Sequence, residues 1–168
     1  MYYYEKILRE LYKRKVKYLL VGGMAVNLHG FERSTADVDI ILLLDDRNLV
    51  KFIRMVRGLQ LKPKVPVQLD DFAKKNIRQI WIHEKNMKAF NLYDPKTGDE
   101  LDVIIDHPVD FEKVYRLRKR VKVDDYIISL IPIDDLIKMK KVAQRARDQI
   151  DIGALLRIKE LGDEKKKI

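Results

Sequence analysis

Residues 19–44 read LLVGGMAVNLHGFERSTADVDIILLL. Two carboxylates, Asp37 and Asp39, stand one residue apart at the head of the apolar run Val38 to Leu44. That run otherwise has the make-up of a buried strand. Unpaired buried charge is expensive, so the placement demands a partner. Alternate side chains of a strand share a face, and Asp37 and Asp39 would project together with Cα atoms roughly 6.7 Å apart. Two like charges about 5 Å apart repel by roughly 3 kcal/mol at an effective dielectric near 20. A divalent cation removes that penalty, and Mg²⁺ commonly takes one or two carboxylates plus substrate phosphates. The competing reading pairs one aspartate with Arg33 or a lysine and leaves the other to cap a turn.

Upstream, KVKYLLVGG is a short apolar run closed by Gly22-Gly23, which predicts a strand over 16–22. MAVNLHG predicts a short helix stopped by Gly30, and FERST a loop. Glycines at such a strand-to-helix turn let phosphate approach the backbone, and the first helical amides present a positive dipole. No Gly-Lys-Ser/Thr follows, so this is not a Walker loop, and it is not G-x-G-x-x-G. A plain turn is the bland alternative.

Downstream, Leu49, Phe52, Ile53 and Val56 have the spacing of an amphipathic helix, with Gly58 as a stop. Residues 59–88 are ambiguous. DDFAKKNIRQIW predicts a short helix capped by Asp70 or Asp71. AFNLYDPKTGDELDVIID predicts a hairpin around Asp94 to Gly98. It places a third carboxylate, Asp102, between Leu101 and Val103, again a charge where a packing residue belongs. Asp106 shares its parity but sits at the strand end. Three converging strand carboxylates would hold two metal ions about 3.5–4 Å apart, the clamp of in-line phosphoryl transfer. DFEKVYRLRKR predicts a helix and YIISLIP a late strand. Two final helices follow, the first with an apolar face of Ile133, Leu136, Ile137, Ala143 and Ala146, the second from about Asp148 to Leu161, and then a lysine tail. The order predicts an α+β fold with a mixed sheet and a C-terminal helical pair. The chain would be one domain over residues 1–168, with 132–168 packed on it.

The 168 residues hold no cysteine, which excludes zinc–thiolate sites and a cysteine nucleophile. No apolar run approaches the roughly 18 residues of a membrane span, and the charged N-terminus is unlike a signal peptide. These features predict a cytoplasmic protein. Lys and Arg number 35 against 26 Asp and Glu, a net charge of +9. That balance favours nucleotides or nucleic acid as partners; a solvated lysine-rich surface is the alternative. Ser34 and Ser129 lack a G-x-S-x-G setting, which excludes a hydrolase triad.

A strand ending in Gly22-Gly23, thirteen intervening residues, Asp37-Val38-Asp39 and a later Asp102 resemble the nucleotidyltransferase fold superfamily that includes DNA polymerase beta and kanamycin nucleotidyltransferase. VGGMAVNLHGFERSTADVDI is similar to the branch holding the nucleotidyltransferase toxins of abortive-infection systems. There Gly-Gly, Ala25, His29-Gly30, Arg33 and Thr35 surround the acidic pair. LIKMKKVAQRARDQIDIGAL resembles that branch's helical segment through Lys140, Ala143, Arg147, Asp148 and Asp151. The resemblance implies a mixed β-sheet flanked by helices. It also implies transfer of a nucleoside monophosphate from a nucleoside triphosphate (NTP) to a hydroxyl of RNA or protein. The triphosphate would lie on Gly22-Gly23. Asp37 and Asp39 would bridge two Mg²⁺ ions, and Asp102 would bind one of them and help deprotonate the acceptor. Lys140 and Arg147 would meet the triphosphate tail or the acceptor. Met24 departs from the pattern, because many active members carry Ser there.

Several residues keep two readings. Arg33 either neutralises phosphate or pairs with Asp37 or Asp39. Thr35 is nucleotide-facing or a loop hydrogen bond. His29 faces the nucleotide or the carbonyl end of its own helix. Arg116 to Lys122 are an RNA-facing stripe or a solvated helix end. Asp148 and Asp151 anchor the last helix, with Asp148 as its N-cap. A non-catalytic nucleic-acid-binding protein or toxin–antitoxin partner is the alternative function. An aminoglycoside-modifying transferase is disfavoured by the +9 charge.

Overall fold

The computed structural model describes residues 3–165, with the side chains of residues 163 and 165 outside the description. The last lysines of the predicted tail also lie outside it. Helix α1, Tyr3–Lys13, buries Ile7, Leu8 and Leu11 and leads into β1, Tyr18–Leu20. Then come α2, Gly22–His29, β2, Val38–Leu42, and α3, Asp46–Gly58. The Asp45 carboxylate caps α3 by accepting from the Asn48 amide at 2.7 Å. This cap stops β2 at Leu42, two residues short of the strand predicted through Leu44. Leu49, Phe52, Ile53 and Val56 are buried as their spacing predicts.

The ambiguous segment contributes a two-residue strand β3, Lys62–Pro63, a 3₁₀ turn over Leu69–Ala73, and α4, Lys75–His83. The predicted cap at Asp70 or Asp71 therefore begins the 3₁₀ turn, and α4 starts later. Phe72 from that turn stacks on Phe90 at 4.7 Å, and Phe90 stacks on Trp81 at 5.5 Å. These contacts give the segment its core. The hairpin is β4, Ala89–Tyr93, with β5, Glu100–Ile104.

Helix α5 covers Phe111–Arg116 only. The residues expected to extend it form β6, Lys119–Val123, which pairs antiparallel with β7, Tyr126–Leu130. Asp124, at φ 46°, and Asp125 make the turn. The Arg118 guanidinium lies 3.9 Å from the Tyr115 ring centroid and donates to the Tyr115 carbonyl at 2.7 Å, which closes α5. The alternation Lys-Arg-Val-Lys-Val has a strand's period of two. Arg116 and Leu117 are thus the solvated end of α5, but Lys119 to Lys122 belong to a strand instead.

The last elements are α6, Ile133–Ala143, and α7, Ala146–Lys165. Gln144, at φ 52°, ends α6 in a left-handed turn. Ala143 and Ala146 are exposed at this elbow instead of joining an apolar face, while Leu136 and Ile137 are buried. Both helices pack on α2.

The seven strands form one sheet in the order β3-β4-β5-β2-β1-β7-β6, mixed because β1/β7 and β2/β5 run parallel. Val38, Ile40, Leu101 and Val103 are buried on one sheet face. On the opposite face Ile41 of β2 is buried, but Asp39, Asn91 and Asp102 at its β2–β5–β4 end are only half-buried. Among the described residues, no helix is long and apolar enough to cross a membrane.

Candidate active site

Asp39 and Asp102 are register partners across the parallel β2–β5 pair, so their side chains emerge side by side. Asn91 is the partner of Asp102 on β4 and donates to Asp102 Oδ1 at 2.7 Å. Asp37 immediately precedes β2 and is exposed, so only one member of the Asp-Val-Asp pair is in the strand. Burial pushes Asp39 up to about 6, and the charges of Asp102 and Asp37 add to the effect. The Arg145 charge and a hydrogen bond from the Gly23 amide act the other way. Asp102 is also raised, first by burial and then by Glu100 and Asp37, against the Asn91 hydrogen bond. The three acids of the sequence motif therefore share one electrostatic field.

The glycines are dictated by contacts. Gly22 has φ +65°, and a Cβ there would fall 1.9 Å from Asp39 Oδ2. A Cβ on Gly23 would fall 2.6 Å from both Arg33 Nη2 and Thr35 Oγ1. Bare backbone at both positions lets the start of α2 press against the Asp39 carboxylate on one side and the 31–37 loop on the other. The glycines open α2 itself, and the turn falls at Val21. Asn27 braces the loop: its Nδ2 donates to the Arg33 carbonyl at 2.9 Å and its Oδ1 accepts from the Arg33 amide at 3.1 Å.

Arg33 pairs with neither Asp37 nor Asp39. Its Nη1 donates to Asp151 Oδ2 at 2.7 Å. Lys140 Nζ donates to the same oxygen at 2.7 Å and to Asp148 Oδ1 at 3.1 Å. Lys140, predicted to meet the nucleotide, is thus buried and committed to two carboxylates. Asp148 Oδ2 accepts from the Arg145 main-chain amide at 2.9 Å, so it caps α7 from inside the first turn. Arg147 is exposed on α7 and nothing ties it to the acidic face, whereas the field of exposed Arg145 reaches Asp39. His29 Nε2 lies 2.9 Å from the Ile131 carbonyl at the start of α6, not at the end of its own helix.

Sequence reasoning missed Asn91, Arg145 and Tyr3. Asn91 is a polar residue on the hairpin strand facing Asp102, a signal available once the hairpin register is assumed. Arg145 has no local signal. The Tyr3 hydroxyl is buried without a hydrogen-bond partner. Burial raises its pKa, and the charges of Asp99, Asp94, Asp102 and Glu100 raise it further. Four carboxylates of the hairpin thus act on Tyr3, one of them, Glu100, paired with Lys64 at 2.5 Å.

Among the described residues, no three Asp, Glu or His side chains are gathered into a ready-made metal cage. The donor set nonetheless suits a hard cation. Asp39 and Asp102 supply oxygen ligands at one register, and burial, with the neighbouring carboxylates, raises both. Such a cation would complete its shell with substrate oxygens.

No protein-family model matches the sequence, and no curated protein matches it. The fold is that of the nucleotidyltransferases. The lincosamide antibiotic adenylyltransferase LnuA, in its lincomycin-bound structure, superposes with a TM-score of 0.60 at 20% identity over 92% of this chain and 95% of that one. A Thermotoga maritima protein assigned as a nucleotidyltransferase gives 0.52 at 15% identity over 100% and 97% of the two chains. ANT(2'')-Ia in complex with adenylyl-2''-tobramycin gives 0.53 at 12% identity over 96% and 89%.

Proposed function

We propose that the protein transfers a nucleoside monophosphate from an NTP to a hydroxyl acceptor and releases pyrophosphate. The observation that carries this reading is the pairing of Asp39 with Asp102 at one register, against the bare backbone of Gly22. Asp39, Asp102 and Asp37 would hold Mg²⁺, expected as two ions, which when bound would neutralise the phosphates and the developing charge. The start of α2 at Gly22-Gly23 receives the triphosphate, the Gly23 amide exchanging its Asp39 partner for phosphate. Met24 leaves this task to the backbone. Asp102, pushed toward higher pKa, accepts the proton of the acceptor hydroxyl. The acceptor oxygen bonds to the α-phosphorus as the bond to the β-phosphate bridging oxygen breaks, and pyrophosphate carries away the electron pair. Arg145, rather than Lys140 or Arg147, is the cation placed to meet the pyrophosphate portion. Positioning and charge complementarity supply most of the rate.

The acceptor was expected to be RNA or protein. A second reading is an amine-bearing small polyol, favoured by the acidic surroundings of Tyr3 at the hairpin end of the face. The net charge that disfavoured such a substrate does not describe this part of the surface. The test incubates the protein and Mg²⁺ with α-labelled NTPs and, separately, total RNA, protein extract and tobramycin. The Asp37→Ala, Asp39→Ala double variant is the control. Label transferred by the parent and not by the variant supports the reading, and the labelled acceptor chooses between the two classes. Equal labelling by both proteins removes it.

A further inference from the structure

Among the described residues, the most deeply buried ionic group is outside the acidic pair. Asp151 is 1% exposed, and its Oδ2 accepts from both Arg33 and Lys140 at 2.7 Å. Its Oδ1 is buried without a partner, and so is Arg33 Nε. A carboxylate buried this far with one oxygen idle is costly. Anchoring α7 alone would be served as well by an apolar side chain of similar volume. What the carboxylate adds is geometry. Arg33 is drawn across the start of α2, with Nη2 lying 2.6 Å from where a Cβ on Gly23 would stand. Lys140 passes the connection to Asp148, which holds the main chain of Arg145 at the α6–α7 elbow. The arginine on the glycine turn and the arginine near Asp39 are thus fixed from one buried point.

We propose that Asp151 is a positioning residue, acting through Arg33 on the Gly22-Gly23 phosphate turn and through Lys140 and Asp148 on the elbow that carries Arg145. The proposal rests on the nucleotidyl-transfer reading for the identity of the anion bound there. Asn27 clamps the Arg33 main chain independently of Asp151. Loss of the carboxylate therefore frees the guanidinium while the loop backbone keeps its brace.

The test measures binding of inorganic tripolyphosphate to the full chain by calorimetry, with chelator present so that no metal contributes. Parent, Asp151→Asn, Arg33→Gln and the double variant form a cycle. Asp151→Asn should weaken binding about tenfold, and Arg33→Gln by a similar factor. The double variant should be weaker than Arg33→Gln alone but short of the product of the two single losses, because the Arg33 route is shared and the elbow route is lost only with Asp151. Asp151→Leu combined with Lys140→Met replaces the buried pair with apolar volume, so the measurement remains possible if Asp151→Asn does not fold. That variant should lose tripolyphosphate affinity while melting cooperatively. Undiminished affinity in the Asp151 variants overturns the inference, as do fully additive effects in the cycle. In either case the parent still binds, and the phosphate turn survives. A parent that binds no tripolyphosphate overturns the turn and the inference together.

Discussion

Replacing Gly22 by alanine puts two separable costs on one residue. The first is conformational: Gly22 has φ +65°, where a Cβ costs about 1–2 kcal/mol. The second is contact: the new Cβ would lie 1.9 Å from Asp39 Oδ2, 2.5 Å from its Cγ and 2.6 Å from its Cβ. Asp39 Cβ belongs to a strand paired on both sides, so rotating the side chain does not clear the overlap and α2 must shift. Overpacking of this kind costs about 1–3 kcal/mol more. Gly98 supplies the control, since it has φ +79° and open space around its would-be Cβ. Gly98→Ala should therefore cost only the conformational part, about 1–2 kcal/mol, and Gly22→Ala about 2–5 kcal/mol. At roughly 2–4 °C per kcal/mol for a chain of this size, calorimetry resolves the gap. Single-turnover transfer should fall on the order of 100-fold in Gly22→Ala, because displacement near 1 Å is enough for that loss, and stay near parent in Gly98→Ala. Equal melting losses in the two variants would show that Asp39 does not pack against the turn, and the site geometry would fail with it.

Asp39 stands at about 6 in the folded chain against an ordinary 3.8, so between those values the folded state binds more protons than the unfolded state. Stability from this group therefore falls as pH rises through that window and stays reduced above it. Asp39→Asn should raise stability by about 2–3 kcal/mol at pH 7.5. Below the unfolded value of 3.8 the gain should vanish; an equal gain at both extremes in urea titrations refutes the assignment. Lys140→Met strands Asp148 and Asp151 and should cost about 3–5 kcal/mol in denaturant unfolding. The exposed neighbour variant Lys141→Met should cost little, and similar midpoints for the two would contradict the buried network. Arg145→Ala should raise the KM for NTP by about 10–100-fold, the worth of a charge-assisted contact, whereas Arg147→Ala should not. The reverse order in steady-state kinetics would return the role to Arg147.

The elements around the site were legible because their signals are local. A glycine pair closing an apolar run and charges inside β-prone runs locate a strand, a turn and the two strands that carry Asp39 and Asp102. Four kinds of information were not local. Strand β6 was hidden because Arg116 to Lys122 carry a helix-like charge run, and only its pairing with β7 and the Arg118–Tyr115 contact convert it to a hairpin arm. Lys140 read as a nucleotide ligand because a lysine on a predicted helix face gives no sign of its partners, which are 8 and 11 residues ahead across the elbow. The +9 charge sums over the whole surface and says nothing of the hairpin carboxylates that act on Tyr3. Segment 59–88 resisted reading because its structure rests on Phe72, whose burial is set by Phe52 and Phe90 from other elements.

The β2–β5 pairing also dictates when competence can arise. Its two strands run parallel and are separated in sequence by α3, β3, α4 and β4, so a long loop is closed when Asp102 comes alongside Asp39. Pairings this remote in sequence are slow steps in folding. The buried partner of Arg33 comes later still, from α7. A nascent or truncated chain ending before Glu100 thus holds half a centre, and one ending before Asp151 holds a centre with a loose arginine. The carboxylate pair and the buried partner of Arg33 exist together only in a chain that reaches α7.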